Sequence, residues 1–566
     1  MRPVTRLVAA ALRLPAARTD RVAVTRDLPV RVRDGTCLRT DHYAPDLPDA
    51  PCVLIRTPYG RGGPIRLLGR LIAERGFHVV IQSCRGTYGS GGEFAPLVHE
   101  RDDGLDTLDW LRRQPWWTGA FGMFGASYQG FVQWAVAAEA GDELRAMVAV
   151  VTASATRDST YAGESFALDT VLTWAELLEA QTVPWLARQW ELKRGQPRLA
   201  RALAHLPLAE ADRVATGVTV PFFQEWLRHH TPDADYWRAR VFGDRITDVH
   251  APVAMVSGWQ DIFLPAQLDD YARLRAAGAR PRLTVGPWTH GSPGLLVAAL
   301  REGLDWLDTH LAGRPGPERA PVRVHVGGDG GGWRDLPDWP PPATPTRWHL
   351  RADGRLDRMP PDTETPDRIW YDPADPTPSL GGPLLVAQRA GAVDNRPVES
   401  RPDVLTYTSG PMPTAVEVVG PVRAEIHLRS ELSYLDVFVR LCDVDRRGRS
   451  WNVCDGLTRV EPDRFPRDAS GAVRVPVTLW PTAHRFAPGH RLRVQVSGGA
   501  HPRYARNPGT GEPLGSAVTL RAGWREVLHD REYPSMVVLP LVPAPSTAGR
   551  QFQIVPLSWA LLPSRG

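Results

Sequence analysis

Lysine is almost missing from this chain. Lys193 is the only one, so arginine carries nearly all of the positive charge. The net charge is only +4 and the basic residues are scattered. No dense basic run offers a footprint for a nucleic-acid backbone. Cysteine is scarce too. The five present (Cys37, Cys52, Cys84, Cys442, Cys454) are an odd number and contain no C-x-x-C pair. That excludes a disulfide framework and a zinc site, and leaves buried reduced thiols. Long apolar runs are absent as well. No stretch reaches the ~18 residues of a membrane span. The N-terminal apolar run, Leu7 to Leu12, is broken by Arg13 and is shorter than the ~7–15 residues of a secretory h-region. A short amphipathic segment packing on the body is expected there, with a cytoplasmic address. The glycine-rich loop Arg85 to Phe94 matches neither G-x-G-x-x-G nor a Walker loop, so it cradles no phosphate.

What remains is ordinary globular protein, 43% apolar and 23% charged. At 566 residues about three domains are expected. Residues 22 to 43 read as strands with a turn at Arg33-Asp34-Gly35. Cys52 to Arg56 and His78 to Gln82 are continuous apolar runs, as in strands buried on both faces. Helical patterns over Ile65–Arg75 and Arg101–Gln114 alternate with them, which specifies a parallel sheet covered on both sides. Further strands are expected at Phe121–Phe124, Ala146–Val151, Val253–Ser257 and Leu283–Val285, with Val322–Val326 as the last. Between them, Ala155 to Asp248 shows helical periodicity, aromatics (Trp174, Trp185, Trp190, Phe222, Phe223, Trp226, Trp237) and no convincing strand. After the proline-crowded stretch Leu336 to Pro345, short strands alternate with turns, as in a β-sandwich or jelly roll. The expected division is an α/β core over 1–154 and 249–343, a helical cap over 155–248, and a β domain over 344–566.

One stretch organises the rest. Phe121 to Phe124 ends in a tight turn at Ser127, followed by a helix from Tyr128. A serine on such a turn is a nucleophile elbow, set at a helix N-terminus where free N–H groups can hold an oxyanion. G-x-S-x-G is not met literally, because Gln129 stands where the second glycine would; the match is Gly125-x-Ser127-Tyr128-x-Gly130. A serine nucleophile needs a base, and the base an orienting acid. Two later strands supply them in the order sheet hydrolases use, serine, acid, histidine. Val253 to Ser257 leads into Gly258-Trp259-Gln260-Asp261, and Leu283 to Val285 into Gly286-Pro287-Trp288-Thr289-His290. Ser127, Asp261 and His290 should therefore share one sheet edge.

With these motifs in order, the chain resembles the cocaine esterase/X-Pro dipeptidyl-peptidase family of serine hydrolases. The likeness includes Arg56-Thr57-Pro58-Tyr59-Gly60-Arg61, Gln114-Pro115-Trp116, Gly258-Trp259-x-Asp261 and Gly286-Pro287-Trp288-x-His290, and continues through Val439 to Val444 and Pro488 to Arg491. It implies an α/β-hydrolase core, a helical cap and a jelly-roll domain. It also implies an oxyanion hole formed by the Tyr59 hydroxyl and the Tyr128 backbone N–H. The expected chemistry is acyl transfer to water from a small ester or amide, with no metal or organic cofactor.

Trp259, Phe263 and Trp288 flank the catalytic loops, and Tyr161, Phe166 and Trp174 could project from the cap to bind an aromatic or apolar acyl group. A dipeptidyl-peptidase needs acids for a charged amino terminus, and Glu164 and Asp169 are the candidates. Acyl transfer to another acceptor would use the same triad, and a non-enzymatic binding protein would need none. Expected partners are the small substrate, no nucleic acid and no membrane, with a homodimer left open.

Overall fold

The computed structural model describes residues 3–180, 196–231 and 235–543. Trp185 and Trp190 lie outside the described residues. Helix α1 (Pro3–Ala11) comes first, and it packs on the body through Val8 and Ala9. Strands β1 (Val22–Arg31) and β2 (Cys37–Pro45) form the expected hairpin. Then β3 (Cys52–Thr57), α2 (Gly63–Ala73), β4 (His78–Ser83), α3 (Glu100–Arg112), β5 (Phe121–Ala126), α4 (Tyr128–Ala137) and β6 (Leu144–Val150) alternate. Every residue of β3 and β4 is buried, as their apolar runs require.

The insertion follows. It holds α5 (Arg157–Thr160), the two-residue strands β7 (Tyr161–Ala162) and β8 (Ser165–Phe166), α6 (Leu168–Glu179), α7 (196–204), α8 (Ala211–Thr216), α9 (Pro221–Arg228) and α10 (Asp235–Arg238). The expectation of an all-helical insertion thus misses one tiny hairpin. Its turn uses Gly163 and Glu164 at φ 59° and 64°. The sheet resumes with β9 (Val253–Gln260), α11 (Leu264–Ala276), β10 (Arg282–Thr289), α12 (Pro293–His310) and β11 (Val322–Val326). One strand more than expected, β12 (Gly332–Leu336), closes the edge antiparallel to β11.

The strand order is β1-β2-β4-β3-β5-β6-β9-β10-β11-β12, parallel from β4 to β11. Helices α3, α4 and α11 cover one face, and α2 and α12 the other. From Thr344 onward the described chain is β-rich. Thirteen strands, β13 (Thr344–Arg351) to β25 (Met536–Val542), enclose their own apolar core. The long strand β20 (Ser450–Val460) packs against the β7–β8 hairpin. A Cβ on Gly163 would stand 1.7 Å from the Leu457 carbonyl oxygen, so only glycine fits this junction.

Candidate active site

β5 ends at Ala126 and α4 begins at Tyr128, which leaves one residue for the turn. That residue, Ser127, has φ 58° and ψ −124°. Such a backbone costs a non-glycine residue ~1–3 kcal/mol and persists only where the surroundings hold it. Here the Ser127 N–H donates to the Val150 carbonyl at 2.9 Å. Its own carbonyl accepts from Thr152 Oγ1 and the Gly130 N–H, both at 2.8 Å. Contact, not turn geometry, requires the flanking glycines. A Cβ on Gly125 would lie 2.4 Å from Gln129 Cβ, and one on Gly130 2.4 Å from Thr152 Cγ2.

Asp261 follows β9 and is fully buried. Its Oδ1 accepts the Phe263 N–H at 2.8 Å, and its Oδ2 accepts from His290 Nδ1 at 2.6 Å. His290 follows β10, and its side chain is only 11% exposed. The bond occupies Nδ1 and turns Nε2 away from the carboxylate. Strands β5, β6, β9 and β10 are parallel neighbours, so the three loops open on one edge. Ser127, Ile262 and Phe263 line a common cavity there.

The Tyr59 hydroxyl accepts the Trp174 indole N–H at 3.2 Å, and Tyr59 borders the same cavity as Ser127. Burial pushes this phenol up to about 12, so it keeps its proton at neutral pH. The loop carrying it is anchored through the residue that departs from the serine motif. Gln129 Nε2 donates to Thr57 Oγ1 at 3.0 Å, and the same oxygen accepts the Tyr59 N–H at 3.1 Å. Tyr128 opens α4, so its N–H has no acceptor within that helix. Tyr128 also borders the cavity, its ring stacked on Trp174. The hydroxyl donates to Glu100 Oε1 at 2.7 Å and accepts the Leu97 N–H at 2.9 Å. Glu100 in turn pairs with the buried Arg56 guanidinium at 3.1 Å. The Arg56-Thr57-Pro58-Tyr59 run therefore holds the site from below as well as reaching into it.

The aromatic residues expected around the pocket divide. Phe263 and Trp174 line the cavity, and Trp174 stacks between Tyr128 and Trp226. Trp259 and Trp288 do not line it. The Trp259 indole donates to the His325 carbonyl at 2.6 Å and packs on Trp339, because a buried indole N–H needs an acceptor. Trp288 packs over Gly286 and against Trp333. Tyr161 and Phe166 are core residues of the cap: the Tyr161 hydroxyl donates to the Trp226 carbonyl at 2.7 Å, and Phe166 is fully buried against Phe223. The cavity instead gains Phe131, Trp226, Ile262 and Leu385, together with five hydroxyl-bearing residues, Thr152, Thr156, Ser159, Thr160 and Thr170. Nothing local in the sequence marks Leu385, which arrives from the β-rich domain. Both candidate acids are already engaged. Glu164 pairs with Arg157 at 3.0 Å, and Asp169 with Arg389 at 2.7 Å. Among the described residues no carboxylate lines the cavity.

A mostly parallel sheet with a serine elbow and a histidine–aspartate pair at one edge defines an α/β-hydrolase-type domain. Residues 34–292 match the X-Pro dipeptidyl-peptidase (S15 family) model, and residues 318–538 match the X-Pro dipeptidyl-peptidase C-terminal non-catalytic domain. The chain is 30% identical to the cocaine esterase of Rhodococcus sp. (strain MB1 Bresler), over 92% of this chain and 99% of that one. The chain therefore belongs to the cocaine esterase/X-Pro dipeptidyl-peptidase family of serine hydrolases. Solved structures share the fold. An aminopeptidase from the marine sediment archaeon Thaumarchaeota archaeon superposes with a TM-score of 0.78 at 21% identity, covering 94% of this chain and 99% of that one. An α-amino acid ester hydrolase does so at 0.77 and 21%, covering 94% and 98%. Among the described residues no helix is long and apolar enough to cross a membrane.

Proposed function

We propose that this protein is a serine esterase that hydrolyses neutral carboxylic esters through Ser127, His290 and Asp261. The observation that carries the reading is the 2.6 Å bond between Asp261 and His290, on the same edge where the strained Ser127 turn opens. In this mechanism His290 Nε2 accepts the Ser127 hydroxyl proton as Oγ bonds to the ester carbonyl carbon. The carbonyl electron pair moves to oxygen, where the Tyr59 hydroxyl and the Tyr128 N–H donate to it. Asp261 fixes the imidazole tautomer and stabilises its charged form. Collapse breaks the carbon–alkoxide bond, and the alcohol leaves with the proton from His290. Water, deprotonated by the same imidazole, then releases the carboxylic acid and restores Ser127.

Two observations favour a neutral ester over a peptide with a free amino terminus. Both acids that could meet an ammonium group are paired with arginines, and the cavity wall carries no carboxylate among the described residues. Acyl transfer to an alcohol would use the same steps with a different second acceptor.

The test is Ser127→Ala, assayed beside wild type on p-nitrophenyl esters, aryl amides and X-Pro amides and labelled with a fluorophosphonate probe. Loss of ester turnover and labelling with an unchanged melting temperature supports the reading. Full activity in the variant removes Ser127 as nucleophile, and faster X-Pro amide than ester turnover by wild type reverses the substrate order.

A further inference from the structure

Ser127 borders a second cavity that, among the described residues, no part of the cap lines. It lies on the other face of the sheet, between α1, α2 and α12, with a volume of ≈ 390 Å³. The first cavity, under the cap, measures ≈ 80 Å³. Tyr59 and Ser127 are the residues the two have in common.

The two chambers differ in size and in the side chains they present. The cap side is lined largely by aromatic rings, among them Phe131, Trp174, Trp226 and Phe263, and the Thr152 and Thr160 hydroxyls there are turned onto backbone carbonyls. The walls of the second chamber are aliphatic or aromatic: Val8 from α1, Leu68 and Leu71 from α2, Phe124 from β5, and Leu296 and Leu300 from α12. Among the described residues, apart from Tyr59, Ser127 and Gln129 no lining side chain is polar, and none is charged. Leu296 stands 54% exposed at its rim, so the chamber opens to solvent.

Given the hydrolase reading above, on which this inference rests, we propose that the groove under α1 holds the unbranched aliphatic chain of the acyl group. A scissile carbonyl between Tyr59 and Ser127 sits where the chambers meet. The acyl part stays on Ser127 after the alcohol has gone, and it needs a dry, apolar bed. The alcohol part then lies on the smaller cap side, from which it leaves. The substrates are then esters of medium-chain fatty acids. Each methylene that enters the groove raises kcat/KM by up to about fourfold, until the chain outgrows it.

The experiment is a chain-length series of p-nitrophenyl esters from acetate to dodecanoate, run on wild type and on Leu296→Glu. Leu296 is exposed, so the charge threatens the groove more than the fold. A wild-type kcat/KM that rises at least tenfold from acetate to a medium chain, and an octanoate-to-acetate ratio that falls at least tenfold in L296E, supports the groove. A second reading avoids turnover: octylboronic acid should inhibit wild type at least tenfold better than methylboronic acid, and L296E should erase the difference. A flat chain-length profile, a preference found only in a series of alkyl benzoates, or concentration-dependent dimerisation that covers the groove overturns the proposal. In each of those cases acetate turnover and fluorophosphonate labelling persist. If both are lacking in wild type, the hydrolase reading itself has failed.

Discussion

Gln129 is the residue at which the serine motif departs from its usual spelling, and it is also the one that ties the elbow to the loop carrying Tyr59. Its amide reaches Thr57, and Thr57 holds the backbone of Tyr59. A donor aimed at a developing oxyanion is worth ~10²–10³ in rate. Tyr59→Phe should therefore lower kcat by about that factor, with little change in KM, because the hydroxyl meets charge that exists only in the transition state. Gln129→Leu keeps the volume but frees the loop, and should cost a smaller share of kcat. The two losses should not add, since the second acts through the first. Steady-state kinetics on a p-nitrophenyl ester for both singles and the double decides it. Fully additive losses would make Gln129 a packing residue only, and an unchanged kcat in Tyr59→Phe would remove the phenol from the site.

At the scale of elements, α11 carries a buried acid that grips the start of the cap. Asp270 accepts the Ser154 N–H at 2.8 Å and its hydroxyl at 2.5 Å. Burial pushes this carboxyl up to about 7, outweighing those bonds. An unfolded aspartate titrates near 3.9. A group raised on folding contributes stability that is full below its unfolded value and lost as pH rises through its folded one. The loss here falls between about pH 4 and pH 8 and amounts to a few kcal/mol at most. Asp270→Asn can keep both contacts without the charge, so the stability difference between wild type and variant should shift in favour of the variant by pH 8. Denaturant midpoints at pH 5 and pH 8 measure it; a difference that does not move with pH refutes the titration.

The elements that set the site were legible for a physical reason. β3, β5, β9 and β10 are buried on both faces, so their apolar runs stand out, and Tyr59, Ser127, Asp261 and His290 each follow one of them closely. What stayed hidden depends on contacts between distant segments. β12 is a half-exposed edge strand beginning in glycine, with no apolar alternation to reveal it. β20 is almost wholly buried yet carries Asn452 and Asp455, whose polarity is answered by Asn395 and by Arg440 and Arg503. The β7–β8 hairpin has two residues per strand and exists because β20 receives Gly163. Trp259 and Trp288 sit close to Asp261 and His290 in sequence, but their indoles pack on Trp339 and Trp333 instead of lining the cavity.

For the whole molecule, the question is what holds the cap and the β-rich domain to a fixed separation across the cavity. Gln260 Nε2 reaches the Val453 carbonyl at 3.1 Å and anchors the Asp261 loop to β20. The stronger tie is Arg389 to Asp169. Asp169 is fully buried, and its neighbours Thr170 and Val171 line the cavity; Arg389 is 39% exposed and lies four residues after Leu385, which lines it from the facing domain. The pair therefore joins both walls. The Asp169 carboxyl is raised by burial even with the guanidinium beside it. Arg389→Met leaves that acid uncompensated, which costs about 1–3 kcal/mol. The cost should grow as pH rises through the raised value, because the charged form is the one left without a partner. With the walls untied, KM should increase several-fold while kcat changes less. Adding Asp169→Asn to the same chain removes the stranded charge and should recover most of the stability at pH 8, but not KM, since the tie stays broken. Melting temperatures at pH 5 and pH 8, read together with KM, separate the two effects. If Arg389→Met leaves stability and KM unchanged at both pH values, the domains are held by packing alone and the ion pair is incidental to the site.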